Sequence, residues 1–223
     1  VTEEPGPHRV EIRAFGSSPP GGQYRLRVEA PRRASARHRQ SALAHQHFAR
    51  AYQRFAAGLR DVEIESDYQG AIDLWTALGT AGRLGEAFLH LGRLQHQAGR
   101  LADAREQYRR AALQLGAGSL FESDAALEAR REDPSAWNPA EKRMRALALG
   151  EYAFVDLEMG GVAGQAQRQD QGFDRLEHLE AVFEESIDLF ERDGAYAMAA
   201  RQWVSRGRLR QQAGLAAAAL DSF

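Results

Sequence analysis

The seven histidines of this 223-residue chain are the first residues to weigh for chemistry, because neutral imidazole is both a metal ligand and the side chain that titrates near neutrality. Their spacing does not assemble a site. His45 and His47 are two residues apart and His90 and His96 six apart, so on a helix neither pair shares a face. No Glu-x-x-His or His-Glu-x-x-His pattern occurs. Glu86 and His90, four apart, do share a face, as surface pairs at that spacing commonly do. The carboxylates Glu177, Glu180, Glu184 and Glu185 form an acidic cluster. General acid–base work needs a pocket that drives two carboxyl pKa values apart, and this density on one helix reads instead as a solvated face. There is no Gly-x-Ser-x-Gly elbow, and Gly160-Gly161 lacks the lysine and serine of a phosphate-cradling loop. With no cysteine there is no thiolate nucleophile, thiolate metal site or disulfide framework. No cofactor, no metal and no catalysis are expected.

The charges give a second group of candidates. Between Arg25 and Arg60 nine arginines face a single acid, Glu29, and a basic stripe is the electrostatic footprint of nucleic-acid binding. Asp61, Glu63, Glu65 and Asp67 follow at once and can neutralise it. With a formal net charge of -2 the whole chain has no field to gather nucleic acid or an acidic membrane, so neither is the expected partner. The longest uncharged apolar runs, such as Leu215 to Leu220, fall far short of the roughly 20 residues a spanning helix needs. Arginine supplies nearly all the positive charge, Lys142 being the only lysine.

What positions these residues is a repeat. Ala71–Ala104 aligns with Ser186–Ala219 at a constant offset of 115 residues and without a gap. Ile72, Asp73 and Leu74 fall on Ile187, Asp188 and Leu189, and Gly79 falls on Gly194. Phe88 meets Trp203, Gly92-Arg93-Leu94 meets Gly207-Arg208-Leu209, and Gln97-Ala98-Gly99 meets Gln212-Ala213-Gly214. Ala104 then meets Ala219, and Tyr108 meets Phe223. Within the first copy Phe88, Leu91, Gln95 and Ala98 step by three and four along one helical face. Gly92 on that face admits a second helix closely, and Gly99 supplies the left-handed residue that ends the helix. Leu101, Ala104, Tyr108 and Ala111 repeat the stepping, which makes an antiparallel hairpin that must stack on neighbours to bury its apolar face.

The series Phe88, Leu91, Gly92, Gly99, Ala104, Tyr108 and Ala111 resembles the tetratricopeptide repeat. Gln95 stands in place of the usual aromatic and Gly116 in place of a common proline. Trp203, Gly207, Gly214, Ala219 and Phe223 match a second time, with Arg206 and Arg210 as departures. Gly150 within Ala146–Asp156 resembles the packing glycine of a further copy. The resemblance implies that the first helix of each pair lines a concave groove. The groove residues would be Glu86, Leu89, Arg93, His96 and Gln97 in one copy, and Arg201, Val204, Arg208, Gln211 and Gln212 in the other. A guanidinium pairs bidentately with a carboxylate, and glutamine bonds both groups of an extended backbone, so a protein or peptide is the expected partner. The lysine and asparagine of the clamp that family members use for chaperone tails are missing from these positions.

The helices implied run over about 35–58, 68–78, 83–98 and 101–115, then about 140–159, 173–192, 196–213 and 216 onward. Insertions at 116–139 and 160–172, rich in glycine and polar residues, break the array. Ahead of it, His8–Phe15 and Gln23–Ala30 alternate apolar and charged residues around Ser17-Ser18-Pro19-Pro20-Gly21-Gly22, the pattern of a β-hairpin. An isolated hairpin is marginal in water, so residues 1–31 read as the tail of a truncated β-sandwich. With Val1 first and a helix under way at Phe223, the sequence reads as a piece of a longer protein. The closing hairpin, the Arg/Ala-rich helix and Ala71–Gly79 together resemble the front half of bacterial CHAT-domain proteins, in which repeats precede a caspase-like peptidase domain. The expectation is an all-α, tetratricopeptide-like α-solenoid of about four helical hairpins at residues 35–223 with an N-terminal β-hairpin remnant. It would serve as a cytoplasmic, non-catalytic scaffold.

Overall fold

The computed structural model describes residues 34–117, 120–121, 139–160 and 169–222. The expected β-hairpin at 1–31 lies outside the described residues, as does most of the expected insertion at 116–139. The described residues are all-α. Their helices are α1 (Ala36–Ala56), α2 (Val62–Leu78), α3 (Ala81–Gln97), α4 (Leu101–Gln114), α5 (Pro139–Glu158), α6 (Gln169–Arg192), α7 (Tyr196–Gln212) and α8 (Ala216–Leu220).

Local chemistry sets the boundaries. Ser35 caps α1 by accepting from the His38 amide, and the His38 ring accepts from the Ser35 amide in return. Asp61 caps α2 by accepting from the Ile64 amide, and Glu63 and Glu65 occupy the first turn, where the helix dipole favours carboxylates. Helix α2 therefore begins at Val62 and not at Tyr68, where the apolar stepping suggested. Helix α6 begins at Gln169, so the last residues of the 160–172 segment expected as an insertion are helical. The turns repeat as the sequence does. Gly79 and Gly194 have φ of 67° and 71°, and Gly99 and Gly214 have 74° and 76°. That left-handed conformation favours glycine and ends each helix.

Consecutive helices pack on each other throughout. Contacts also join α1 to α3, α3 to α5 and α5 to α7, so the odd-numbered helices succeed one another. The core follows this order. Ile64, Tyr68, Ala71, Ile72 and Trp75 of α2 and Ala104, Tyr108, Ala111 and Ala112 of α4 are buried against α3, and the same cluster continues into Leu149, Tyr152 and Ala153 of α5. At the α3–α4 crossing a Cβ on Gly92 would lie 2.7 Å from Tyr108 Cε1 and 3.3 Å from the Ala104 carbonyl oxygen, so the glycine is needed for the approach. Gly150 differs from the expected pattern. Its close neighbour is Gln202 of α7, 2.5 Å from where a Cβ would stand, and not a residue of its own partner helix α6.

Ion pairs stitch the layers. Arg50 and Arg54 of α1 pair with Asp67, Asp61 and Glu63 around α2, so these two arginines of the basic stripe are neutralised within the fold. In the cluster read as a solvated face, Glu180 accepts from both Arg206 and Arg210 of α7, and Glu185 pairs with Arg145 of α5. Burial pushes the Glu180 carboxyl up, but the bonds from Arg210 and Arg206 outweigh it and hold the pKa below its ordinary value. Arg206 and Arg210, departures from the repeat pattern, thus join α7 to α6, and Arg210 also donates to the Ala218 carbonyl and to Ser222 Oγ. Asp156 of α5, 1% exposed, pairs with Arg105 of α4 and accepts from Arg175 of α6 at 2.5 and 2.8 Å. Arg105 further donates to the Tyr152 hydroxyl at 3.0 Å and lies over its ring. One buried carboxylate therefore ties three helices.

Candidate functional site

The ten expected groove residues fall on α3 and α7, five on each. On α3, Glu86, Leu89, Arg93 and His96 recur at three- and four-residue steps and form one stripe. That stripe is engaged by the next helix of the odd series. Arg93 pairs with Glu151 of α5 at 3.6 Å, and His96 pairs with Glu158 of α5 at 2.6 Å. Leu89, between them, is 2% exposed and belongs to the core, a correction to its assignment as a groove residue. The tetratricopeptide-like numbering places Leu89 off the hairpin's packing face, but α5 packs on both α3 and α4 and closes that side. Glu86 is bonded by Arg83 at 2.9 Å. Gln97 is exposed.

On α7 the equivalent stripe stands open. Arg201, Arg208, Gln211 and Gln212 are exposed, and Val204 is 40% exposed where its counterpart Leu89 is buried. Arg93, Glu151, Glu158 and Arg201 all act electrostatically on the Tyr108 hydroxyl, whose pKa is raised chiefly by burial and further by Glu151. Beside Val204 runs a groove of about 340 Å3 lined by Ala200, Trp203, Val204, Asp221 and Ser222. In the first copy the matching place is filled by Leu115, whose side chain lies against Gly85. Tyr196 and Leu220 add exposed apolar surface at this end, at 69% and 74%.

A third feature was not expected from the sequence. Phe48 and Tyr52 of α1, Tyr68 and Trp75 of α2 and His90 of α3 form an aromatic cluster with ring centroids 5.1 to 6.3 Å apart. The histidine is the informative member. Burial, with Arg93 adding to it, pushes the His90 imidazole pKa down to about 4, so the ring is neutral at pH 7. Because the folded pKa lies below the unfolded value, this contribution to stability is present above about pH 6.5 and is lost as pH falls toward 4. His90→Phe keeps the ring packing and is expected to flatten the stability profile between pH 6.5 and 4. Urea midpoints at half-unit pH intervals measure this, and parallel wild-type and variant curves would exclude His90 as the source. Among the other described histidines, His47 pairs with Asp67 at 2.9 Å and His45 lies against the Trp75 ring. Among the described residues no three histidine or acidic side chains come together as a metal-binding group, and no helix is long and apolar enough to cross a membrane.

No family model matches the chain, and no curated protein matches it significantly.

Proposed function

We propose that this chain is a non-catalytic interaction scaffold, a tetratricopeptide-like α-solenoid that binds a protein or peptide along the outer stripe of its odd-numbered helices. One observation carries the reading. The stripe Arg201, Val204, Arg208 and Gln211 is presented to solvent on α7, while the matched stripe on α3 is occupied by α5 through Arg93–Glu151 and His96–Glu158. Two further features support the solenoid: odd helices that succeed one another, and Gly92 seated on Tyr108 where the repeat signature puts a small residue against an aromatic one. The wider setting we infer is the regulatory part of a larger CHAT-type protein in the cytoplasm, with the repeats receiving a partner and a downstream peptidase domain responding.

The test uses a cross-linked, identified partner and direct titration. Arg201→Ala and Arg208→Ala should each weaken binding by roughly tenfold, the loss of one charge-assisted contact, while thermal unfolding stays within error because both side chains are exposed. Raising salt should weaken the wild-type complex in parallel. A partner that binds both variants as tightly as wild type uses another surface, and the groove reading fails.

A further inference from the structure

We infer that Asp193–Gly194, in the turn between α6 and α7, is a site of spontaneous isoaspartate formation that the fold holds shut, and that Arg143 of α5 is the side chain that shuts it.

The sequence supplies the reactive pair once. Asp193 is the only aspartate followed by glycine, and the only asparagine, Asn138, precedes proline, which has no backbone N–H. In the reaction the Gly194 amide nitrogen adds to Cγ of Asp193 and forms a C–N bond. An oxygen of the carboxyl and the amide hydrogen leave as water, and the product is a cyclic succinimide. Water then reopens the ring. Cleavage of the new C–N bond restores aspartate, whereas cleavage of the original peptide bond leaves isoaspartate, with the main chain routed through Cβ and Cγ. No oxidant or reductant is required. A side chain on the second residue hinders ring closure; Gly194 has none, and nothing lies within 4 Å of where its Cβ would stand.

Two contacts oppose the reaction. The Gly194 N–H donates to the Glu191 carbonyl at 3.0 Å, so the nitrogen is engaged by the end of α6. The carboxyl is held from α5, where Arg143 Nε donates to Asp193 Oδ2 at 2.7 Å and Nη2 lies 2.6 Å from the same oxygen. The carboxyl cannot turn toward the amide until that pair opens. The Asp193 side chain is 16% exposed and that of Arg143 57%, so the arginine covers the carboxylate from the solvent side.

The first copy of the repeat is the internal comparison. The offset of 115 residues puts Leu78–Gly79 at the same turn, and the Gly79 N–H donates to the Thr76 carbonyl at 3.1 Å. There too an arginine from near the start of the preceding odd-numbered helix reaches the turn, Arg37 of α1 donating to the Leu78 carbonyl at 2.9 Å. Glycine and arginine thus recur, and only the second copy adds a carboxyl able to cyclise. Isomerisation would insert a methylene into the main chain just ahead of Gly194. The Gly194 bond to Glu191 and the 2.8 Å bond from the Ala195 N–H to the Phe190 carbonyl close the end of α6 there, so the change would loosen α7 from α6.

The test ages the full chain at neutral pH in water enriched in heavy oxygen. Each passage through the succinimide leaves a solvent oxygen at residue 193, which mass spectrometry of the digested peptide locates, and an isoaspartyl methyltransferase assay counts the isomer. The chain unfolded in guanidinium chloride should label fast and the folded chain slowly. Arg143→Ala should speed labelling of the folded chain by roughly two- to fivefold, the rise in open population on losing a part-exposed ion pair. Arg143→Lys, which keeps the charge and a donor, should stay nearer to wild type. Asp193→Glu, which closes the larger ring far more slowly, should remove the signal at this residue. Asp156→Asn weakens the fold away from this turn and should raise labelling less than Arg143→Ala, which separates local from global opening. Arg143→Ala labelling no faster than wild type, or no faster than Asp156→Asn, would overturn the role of Arg143. Equal labelling of folded and unfolded wild type, or none at residue 193 in the unfolded chain, would overturn the site itself.

Discussion

Gly92→Leu should destabilise the protein by about 3 kcal/mol or more, at the upper end of overpacking costs. The site leaves no room to yield. The position of a Cβ is already 2.7 and 2.8 Å from two ring atoms of Tyr108, which is fully buried, and the Ala104 carbonyl lies 3.3 Å behind. For a chain of this length such a loss corresponds to roughly 6–12 °C in Tm. Gly92→Ala gives the sharper comparison. Alanine is favoured over glycine inside a helix by about 1 kcal/mol, so a loose crossing would be stabilised by it. A net loss is expected here, and trimming the ring in the double variant Gly92→Ala, Tyr108→Leu should recover part of it as a positive coupling. A melt of Gly92→Leu that superimposes on wild type would remove the close crossing from the fold.

Asp156→Asn is the second large effect, expected at about 3 kcal/mol by analogy with broken buried pairs. The carboxylate is 1% exposed and its two guanidinium partners come from different helices. The amide keeps the shape and removes the charge, leaving Arg105 and Arg175 facing each other across a neutral group. Because the carboxylate is shielded, 1 M salt should narrow the gap between wild type and variant far less than it would for exposed pairs such as Arg192–Asp188. Urea unfolding at low and high salt measures both quantities, and a difference under 0.5 kcal/mol would show that the carboxylate does not tie the three helices.

Much of the helical skeleton was legible because its determinants are local. Gly79, Gly99, Gly194 and Gly214 end helices through a conformation that glycine reaches at no steric cost, and they recur at one offset. Gly92 and Tyr108 were legible as a pair for the same reason. The start of α2 was not, because Asp61, Glu63 and Glu65 cap and charge the helix without joining its apolar stripe. Leu89, one of the ten candidate groove residues, was misread for a physical reason of another kind. Whether Leu89 and Val204 face water depends on a helix that begins far along the chain, and no periodicity within the hairpin encodes it. A signal did exist in Glu151 and Glu158, seven apart on a helix that also carries apolar residues all round. Arg206 and Arg210, which depart from the repeat pattern, both donate to Glu180 of the preceding helix, a partner that the repeat pattern does not encode.

The neighbour-to-neighbour order of the helices also bears on how the chain matures as it is made. Contacts join each described helix to the next, and the odd-numbered helices also to the next odd one, so little of the core waits on distant sequence, the condition under which folding is fast and can proceed from the N-terminal side during synthesis. Helices α1 to α4 can settle while α5 is still being added. Leu89 and Arg93 then wait as an open seat until α5 arrives, and Asp156 is held on one side by Arg105 until Arg175 emerges nineteen residues later. A ribosome paused in that interval would carry a partly folded chain with the α3 face around Leu89 and Arg93 still bare.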